Sequence, residues 1–193
     1  MSIQTQLFES ARLRLGPIDH EKDPEIESRW THDPVFLHGL SFNPARPLSP
    51  AQMKKRYEAI EKEIDESHNS FHFMVRSKED ERLIGLARIE WIEWSHGAGG
   101  LKLAIGDVKD RRQGYASEVM QLLLRFAFDE LNLYRLSAVV GEDNLAGLAL
   151  LKKFGFVEEV RRRKALLRDG QFFDLIHLGL LRNEWQPVEA SQP

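Results

Sequence analysis

Asp110-Arg111-Arg112-Gln113-Gly114-Tyr115-Ala116 joins a short β-forming run, Leu101 to Ile105, to a long amphipathic one. The start of a helix presents unpaired backbone N–H groups and the positive end of its dipole, so a glycine there lets a phosphate approach the main chain closely. Gly114 stands at that point, with Lys109, Arg111 and Arg112 adding positive charge beside it. The chemistry this suits is the local capture of a polyphosphate. Taken alone, the glycine also suits a plain strand-to-helix turn with solvated arginines around it. A dinucleotide fold would need Gly-x-Gly-x-x-Gly after its first strand, and a P-loop Gly-x-x-x-x-Gly-Lys-Ser/Thr. The chain contains neither string.

Other reactive groups narrow the choice by elimination. With no cysteine among 193 residues, thiol catalysis, disulfides and thiolate metal sites are excluded, which suits a reducing cytoplasmic setting. His68 and His72 are four apart, but they straddle a loop-to-strand junction where that spacing does not share a face, so no metal is expected. Arg161-Arg162-Arg163-Lys164 reads as a solvated strand, because alternation splits the run between two faces and no aromatic platform accompanies it. A net charge of −3 gives no general attraction for nucleic acid. No apolar run approaches the roughly 20 residues of a membrane span, and Met1 to Gln6 lack the layout of a signal peptide.

The elements that must position the loop follow from periodicity. Ala11 to Leu15 alternates as a half-buried strand and ends at Gly16-Pro17. Asp19 to Trp30 is charged and helical in character, and Asp33-Pro34 opens an irregular stretch with Pro44, Pro47 and Pro50. Ser49-Pro50 reads as N-cap and first position of a helix through Glu66, with Met53, Tyr57, Ile60 and Ile64 at helical spacing. Phe71 to Val75 and Leu83 to Trp94 make a hairpin, Gly97 to Gly100 a turn, and Leu101 to Ile105 the next strand. Ala116, Val119, Met120, Leu123 and Ala127 mark the buried stripe of the long helix, and Tyr134 to Val140 follows as a strand. Strand, loop, helix and strand imply a parallel β-α-β unit with a right-handed crossover. Asn144 starts a short helix ending at Gly155, and Phe156 to Arg182 folds back on itself at Asp169-Gly170. The fold class is therefore mixed α/β (α+β), with one domain over residues 1–185 and a flexible tail over 186–193.

Arg111-Arg112-Gln113-Gly114-Tyr115-Ala116 matches throughout the Arg/Gln-x-x-Gly-x-Gly/Ala signature of the GNAT superfamily of acyl-CoA N-acyltransferases, which this sequence resembles. Asn144 with Lys152-Lys153-Phe154-Gly155-Phe156, and Ala11-Arg12-Leu13-Arg14-Leu15-Gly16-Pro17, resemble two further family segments. Ile105-Gly106-Asp107, Arg168-Asp169-Gly170-Gln171-Phe172-Phe173-Asp174 and Leu180-Leu181-Arg182-Asn183-Glu184-Trp185 look most like the RimJ/RimL-like branch. The resemblance implies one twisted mixed sheet with helices on both faces and acetyl-CoA as co-substrate. Its pyrophosphate would lie on the amides of Arg111, Arg112, Gln113, Gly114, Tyr115 and Ala116. The pantetheine arm would run between the strands ending at Ile105 and Val140, facing Asn144, a residue equally suited to capping its own helix.

By the same resemblance Glu90 lies on the strand beside the acceptor and is the candidate base, with Glu93 as runner-up; both also suit ordinary exposed strand positions. The tyrosine that many members use as acid would fall seven residues after Asn144, where this chain has Leu151. Solvent or another group would then protonate the departing thiolate. The expected reaction is direct attack of a primary amine on the thioester, without an acyl-enzyme. Acceptors would be a protein N-terminus, a polyamine or another small amine, the acidic stretch from Asp19 to Glu66 offering either a steering rim or a solvated helix face. A CoA-binding sensor with weak turnover is the alternative, and the reading admits a homodimer.

Overall fold

A computed structural model describes residues 7–186. The expectations for Met1 to Gln6 and for nearly all of the 186–193 tail lie outside the described residues. Seven strands form one mixed sheet: β1 (Leu13–Gly16), β2 (Phe71–Ser77), β3 (Leu83–Glu93), β4 (Ala98–Ile105), β5 (Arg135–Gly141), β6 (Val157–Arg168) and β7 (Gln171–Leu181). Their spatial order is β1-β2-β3-β4-β5-β7-β6. Among the described strands only β4 and β5 run parallel, joined through helix α4 (Tyr115–Arg125), as the β-α-β expectation requires. The β6–β7 hairpin turns at Asp169 and Gly170, both at positive φ, the backbone that a tight two-residue turn demands.

Two cores lie on opposite faces of the sheet. Val119, Met120 and Leu123 of α4, with Ala127 in the π-helical turn that continues it, pack against Ile89, Leu136 and Leu178, while Ala116 at the start of the predicted stripe is only half-buried; helix α5 (Leu145–Lys153) adds Leu151. On the other face α1 (Asp23–Trp30), α2 (Pro34–Leu40) and α3 (Pro50–Ser67) cover Met74, Leu86 and Ala104 with Trp30, Phe36, Met53 and Tyr57. Each such large apolar side chain stabilises the fold by about 1.5–3 kcal/mol on burial. Alternation along β3 sorts the faces, Ala87 and Ile89 facing α4 while Leu86 faces α3.

Helix α3 starts as the sequence predicts. The Ser49 hydroxyl accepts from the Gln52 amide at 3.3 Å, and the Gln52 side chain accepts from the Ser49 amide at 2.9 Å. Three boundaries differ from expectation. The Asp33–Pro50 stretch is not wholly irregular: Pro34 sits at the first turn of α2, where its missing N–H costs nothing, and Asp33 accepts from the Val35 amide at 2.8 Å. Helix α1 starts only at Asp23, because Asp19 turns the chain before it by accepting from the Glu21 and Lys22 amides. Gly99 and Gly100 are strand, not turn, because β4 there pairs with β3 on one side and β5 on the other.

Candidate active site

Strands β4 and β5 pair only over Ala98–Arg135, Gly99–Leu136 and Gly100–Ser137. Beyond these positions β4 keeps its ladder with β3 to Ile105 and β5 keeps its ladder with β7 to Gly141. The facing edges of Leu101 to Ile105 and Ala138 to Gly141 therefore diverge with no ladder between them. Backbone groups at such a parting are free to bind an extended chain, as the pantetheine expectation requires. Ile105 lies at the end of the parted edge of β4.

The loop from this edge to α4 is anchored at both ends. Asp110, in a short 3-10 turn, is buried and takes a two-pronged bond from Arg82 at 2.6 and 2.8 Å. That bond holds the Arg82 guanidinium's pKa well above its usual range. Arg12 donates to the Gln113 carbonyl at 2.9 Å, pairs with Glu118 in the first turn of α4, and stacks over the Tyr115 ring at 4.6 Å. Arg112 and Gly114 both adopt left-handed backbone conformations, with φ of 62° and 84°. At Gly114 a side chain would be strained, and its Cβ would lie 3.2 Å from the Arg12 guanidinium.

This geometry leaves the amides of Arg112, Gln113, Gly114, Tyr115 and Ala116 without any hydrogen bond among the described residues. Five consecutive free N–H groups where a helix dipole begins make an anion cradle. Lys109 and Arg112 stand exposed beside it. Arg111 is differently employed. Its guanidinium binds Asp33 and the Ile105 and Gly106 carbonyls, tying the end of β4 to α2, and its amide bonds to Val108. Gly106 is a glycine because Trp30 lies across it, an added Cβ falling only 2.0 Å from the indole.

Asn144 caps α5, its Oδ1 accepting from the Gly147 amide at 2.9 Å, while its side-chain NH₂ makes no bond within the described protein. The capping and ligand-facing readings are thus compatible. Leu151 is buried in the α4-side core, and no tyrosine replaces the missing one: Tyr57 is wholly buried, Tyr115 lies under Arg12 and Tyr134 is exposed. Tyr57 donates to Glu27 at 2.6 Å, and burial pushes the pKa values of both groups up.

Glu90 lies on the α3 side of β3, opposite Gly100 at the last paired position before the strands part. It pairs with Lys102 at 2.7 Å. A bulge follows, with Trp91 at positive φ and its ring beneath the Lys102 ammonium at 4.9 Å; Glu93 beyond it is exposed. Arg12, Arg82, Asp33 and Lys102 escaped sequence reasoning as site residues, since each acts through a partner far away in the chain. The parity of β3 and β4 was the one available signal, because it sets Lys102 and Glu90 on a common face.

Comparison with known proteins identifies the family of the fold. Residues 12–157 match the acetyltransferase (GNAT) domain family. An uncharacterized N-acetyltransferase, p20, of Bacillus licheniformis is 26% identical over 175 residues, covering 90% of this chain and 95% of its own. The spermidine N-acetyltransferase of Vibrio cholerae, solved with CoA and spermine, superposes with a TM-score of 0.77 at 20% identity, over 91% of this chain and 98% of that one. A putative ribosomal-protein-serine acetyltransferase of the same organism gives 0.69 at 22% identity, over 94% and 99%. The chain belongs to the GNAT acetyltransferase family and is an acetyl-CoA-dependent acyltransferase. Among the described residues no helix is long and apolar enough to cross a membrane, and no group of three or more acidic, histidine or cysteine side chains could hold a metal ion.

Proposed function

We propose that the protein is an N-acetyltransferase acting on the primary amine of a small molecule or protein N-terminus. The observation that carries this reading is the five-amide cradle at the head of the cleft between β4 and β5. The cradle would hold the pyrophosphate of acetyl-CoA, with Lys109 and Arg112 adding charge, while Ile105 and Asn144 would flank the pantetheine arm. The amine nitrogen attacks the thioester carbon, the C–S bond breaks, and the nitrogen loses a proton as the thiolate leaves.

An alkyl ammonium has a pKa near ~10, so the attacking amine must first be deprotonated, and Glu90, at the mouth of the parted strands, is the proposed base. Glu90 is ion-paired with Lys102 at 2.7 Å. The thiolate, from a thiol of pKa about 8.5, can depart unprotonated and take its proton from solvent. This is consistent with the buried Leu151.

CoA release measured over a panel of amines and peptide N-termini tests the reading. Turnover on at least one acceptor is expected, with Glu90→Gln lowering it and removing the acidic limb of the pH profile. Acetyl-CoA binding without turnover on any acceptor would instead support a sensor, and an unaltered pH profile would move the base elsewhere.

A further inference from the structure

On the α3 side of the sheet, His72, Arg88 and Lys102 are direct cross-strand partners in one row over β2, β3 and β4. Glu90 stands in the next row and is matched by Lys102. Arg88 has no such match. Its Nε and Nη2 are closed off from solvent and bond to no protein group among the described residues, and both ring nitrogens of His72 are in the same condition. Arg88, His72 and Glu90 line a cavity of about 60 Å³ beneath Ile60 and Ile64 of α3, with exposed Glu63 at its rim.

A guanidinium stays charged throughout the range in which proteins fold. Burial and neighbouring Arg56 both act against the charge on Arg88, lowering its pKa more than Glu27 and Glu90 raise it. Glu27 is already bonded to Tyr57, and Glu90 is ion-paired with Lys102, although its buried Oε1 makes no hydrogen bond of good geometry. A desolvated, planar fork of donors left over after that pairing suits a planar anion. The cavity is large enough to admit a carboxylate-sized group.

Part of the acidic stretch is engaged by neighbouring side chains, while Glu21, Glu25, Glu58, Glu63, Asp65 and Glu66 stay exposed. Asp23 holds Arg76, Glu27 Tyr57, Asp33 Arg111 and Glu61 His20. The unmatched buried charge on this face is cationic.

We propose that this cavity receives a carboxylate on the acceptor, held by the fork of Arg88 and an N–H of His72, so that the acetylated amine belongs to an amino acid or a similar carboxylate-bearing amine. The proposal rests on the acyl-transfer reading above and narrows its acceptor. Burial and the charge of Arg88 drive the His72 pKa down to about 3, so its ring is neutral near pH 7 and offers one N–H.

The test compares amino acids with their carboxamides and with the decarboxylated amines, by kcat/KM for CoA release. The carboxylate-bearing member of each set is expected to exceed both others by at least about tenfold, as loss of a charge-assisted bond predicts. Arg88→Gln, and Arg88→Lys, which keeps the charge and loses the fork, should each erase the preference through KM. Equal rates across each set, or a preference that survives in both variants, would overturn the proposal.

A binding measurement separates this outcome from failure of the catalytic reading. Acetate and succinate titrated into the wild-type protein by calorimetry should bind, and should not bind Arg88→Gln. Anion binding that depends on Arg88, without turnover of any amine, would uphold the carboxylate site while sinking acyl transfer to amines. No anion binding in the wild type would sink the site itself.

Discussion

The loop from Arg111 to Ala116 and the cavity beneath α3 both present hydrogen-bond donors that no protein group uses, yet the donors differ in kind. In the loop they are main-chain amides, five in succession, and the neighbouring side chains act mostly as struts. In the cavity they are side-chain groups of Arg88 and His72, brought together by the pairing of two strands. A backbone cradle tolerates almost any side chain provided the φ values are met, so one loop can serve the same coenzyme in many proteins. A side-chain pocket is redefined by any substitution in its row. The donor half of such an enzyme is therefore generic and the acceptor half particular.

The contrast breaks most sharply at the strut. Asp110→Ala removes the two-pronged bond from Arg82, which is a third exposed and keeps Asp80 at 3.2 Å, and should cost about 1.5–3 kcal/mol of stability, read from urea denaturation. A loss under 1 kcal/mol would show that the loop is anchored elsewhere. Gly114→Val comes next. Forcing a β-branched residue into this left-handed position costs on the order of 1–3 kcal/mol, so acetyl-CoA should bind about tenfold to a hundredfold more weakly by calorimetry, with acceptor KM unchanged. Unchanged CoA affinity would remove the cradle from the mechanism.

Arg12→Ala should weaken acetyl-CoA by roughly three- to tenfold, because it frees the Gln113 carbonyl while leaving the amides in place. An effect as large as that of Gly114→Val would make Arg12 itself a ligand. On the cavity side the expected effect is one of pH. His72 is neutral when folded and protonates near 6.5 when unfolded, so folding stability is complete above that pH and falls as pH drops from about 6.5 toward about 3. The slope attributable to this residue is at most about 1.4 kcal/mol per pH unit, and His72→Gln should flatten it in denaturation curves between pH 4 and 6.5.

How much was legible in the sequence follows the same division. The loop was readable because its requirements are local: a glycine at a left-handed position, a β-forming run before it and an apolar stripe after it. So were the capping box of α3, the Asp169-Gly170 hairpin turn and the parallel crossover. The short α2 was hidden because its prolines argued for loop, whereas Pro34 simply occupies the one helical position that needs no N–H. The glycines of β4 looked like a turn because their strand character comes from two neighbouring ladders.

Arg111 illustrates the limit at a single residue. Its place beside Gly114 predicted a phosphate contact, and only the fold reveals Asp33 within reach to claim its guanidinium. The Asp19–Glu66 acids likewise looked available for steering until Arg76, Tyr57, Arg111 and His20 proved to occupy several of them.

The amino-acid order by itself determined the strands and helices whose periodicities are short-range, and the one loop whose function depends on backbone conformation. Tertiary structure alone decided where β4 and β5 part, which charges cancel and which buried guanidinium is left over. Those outcomes depend on pairings between residues tens of positions apart, and pairing energy has no local signature for a single chain to display.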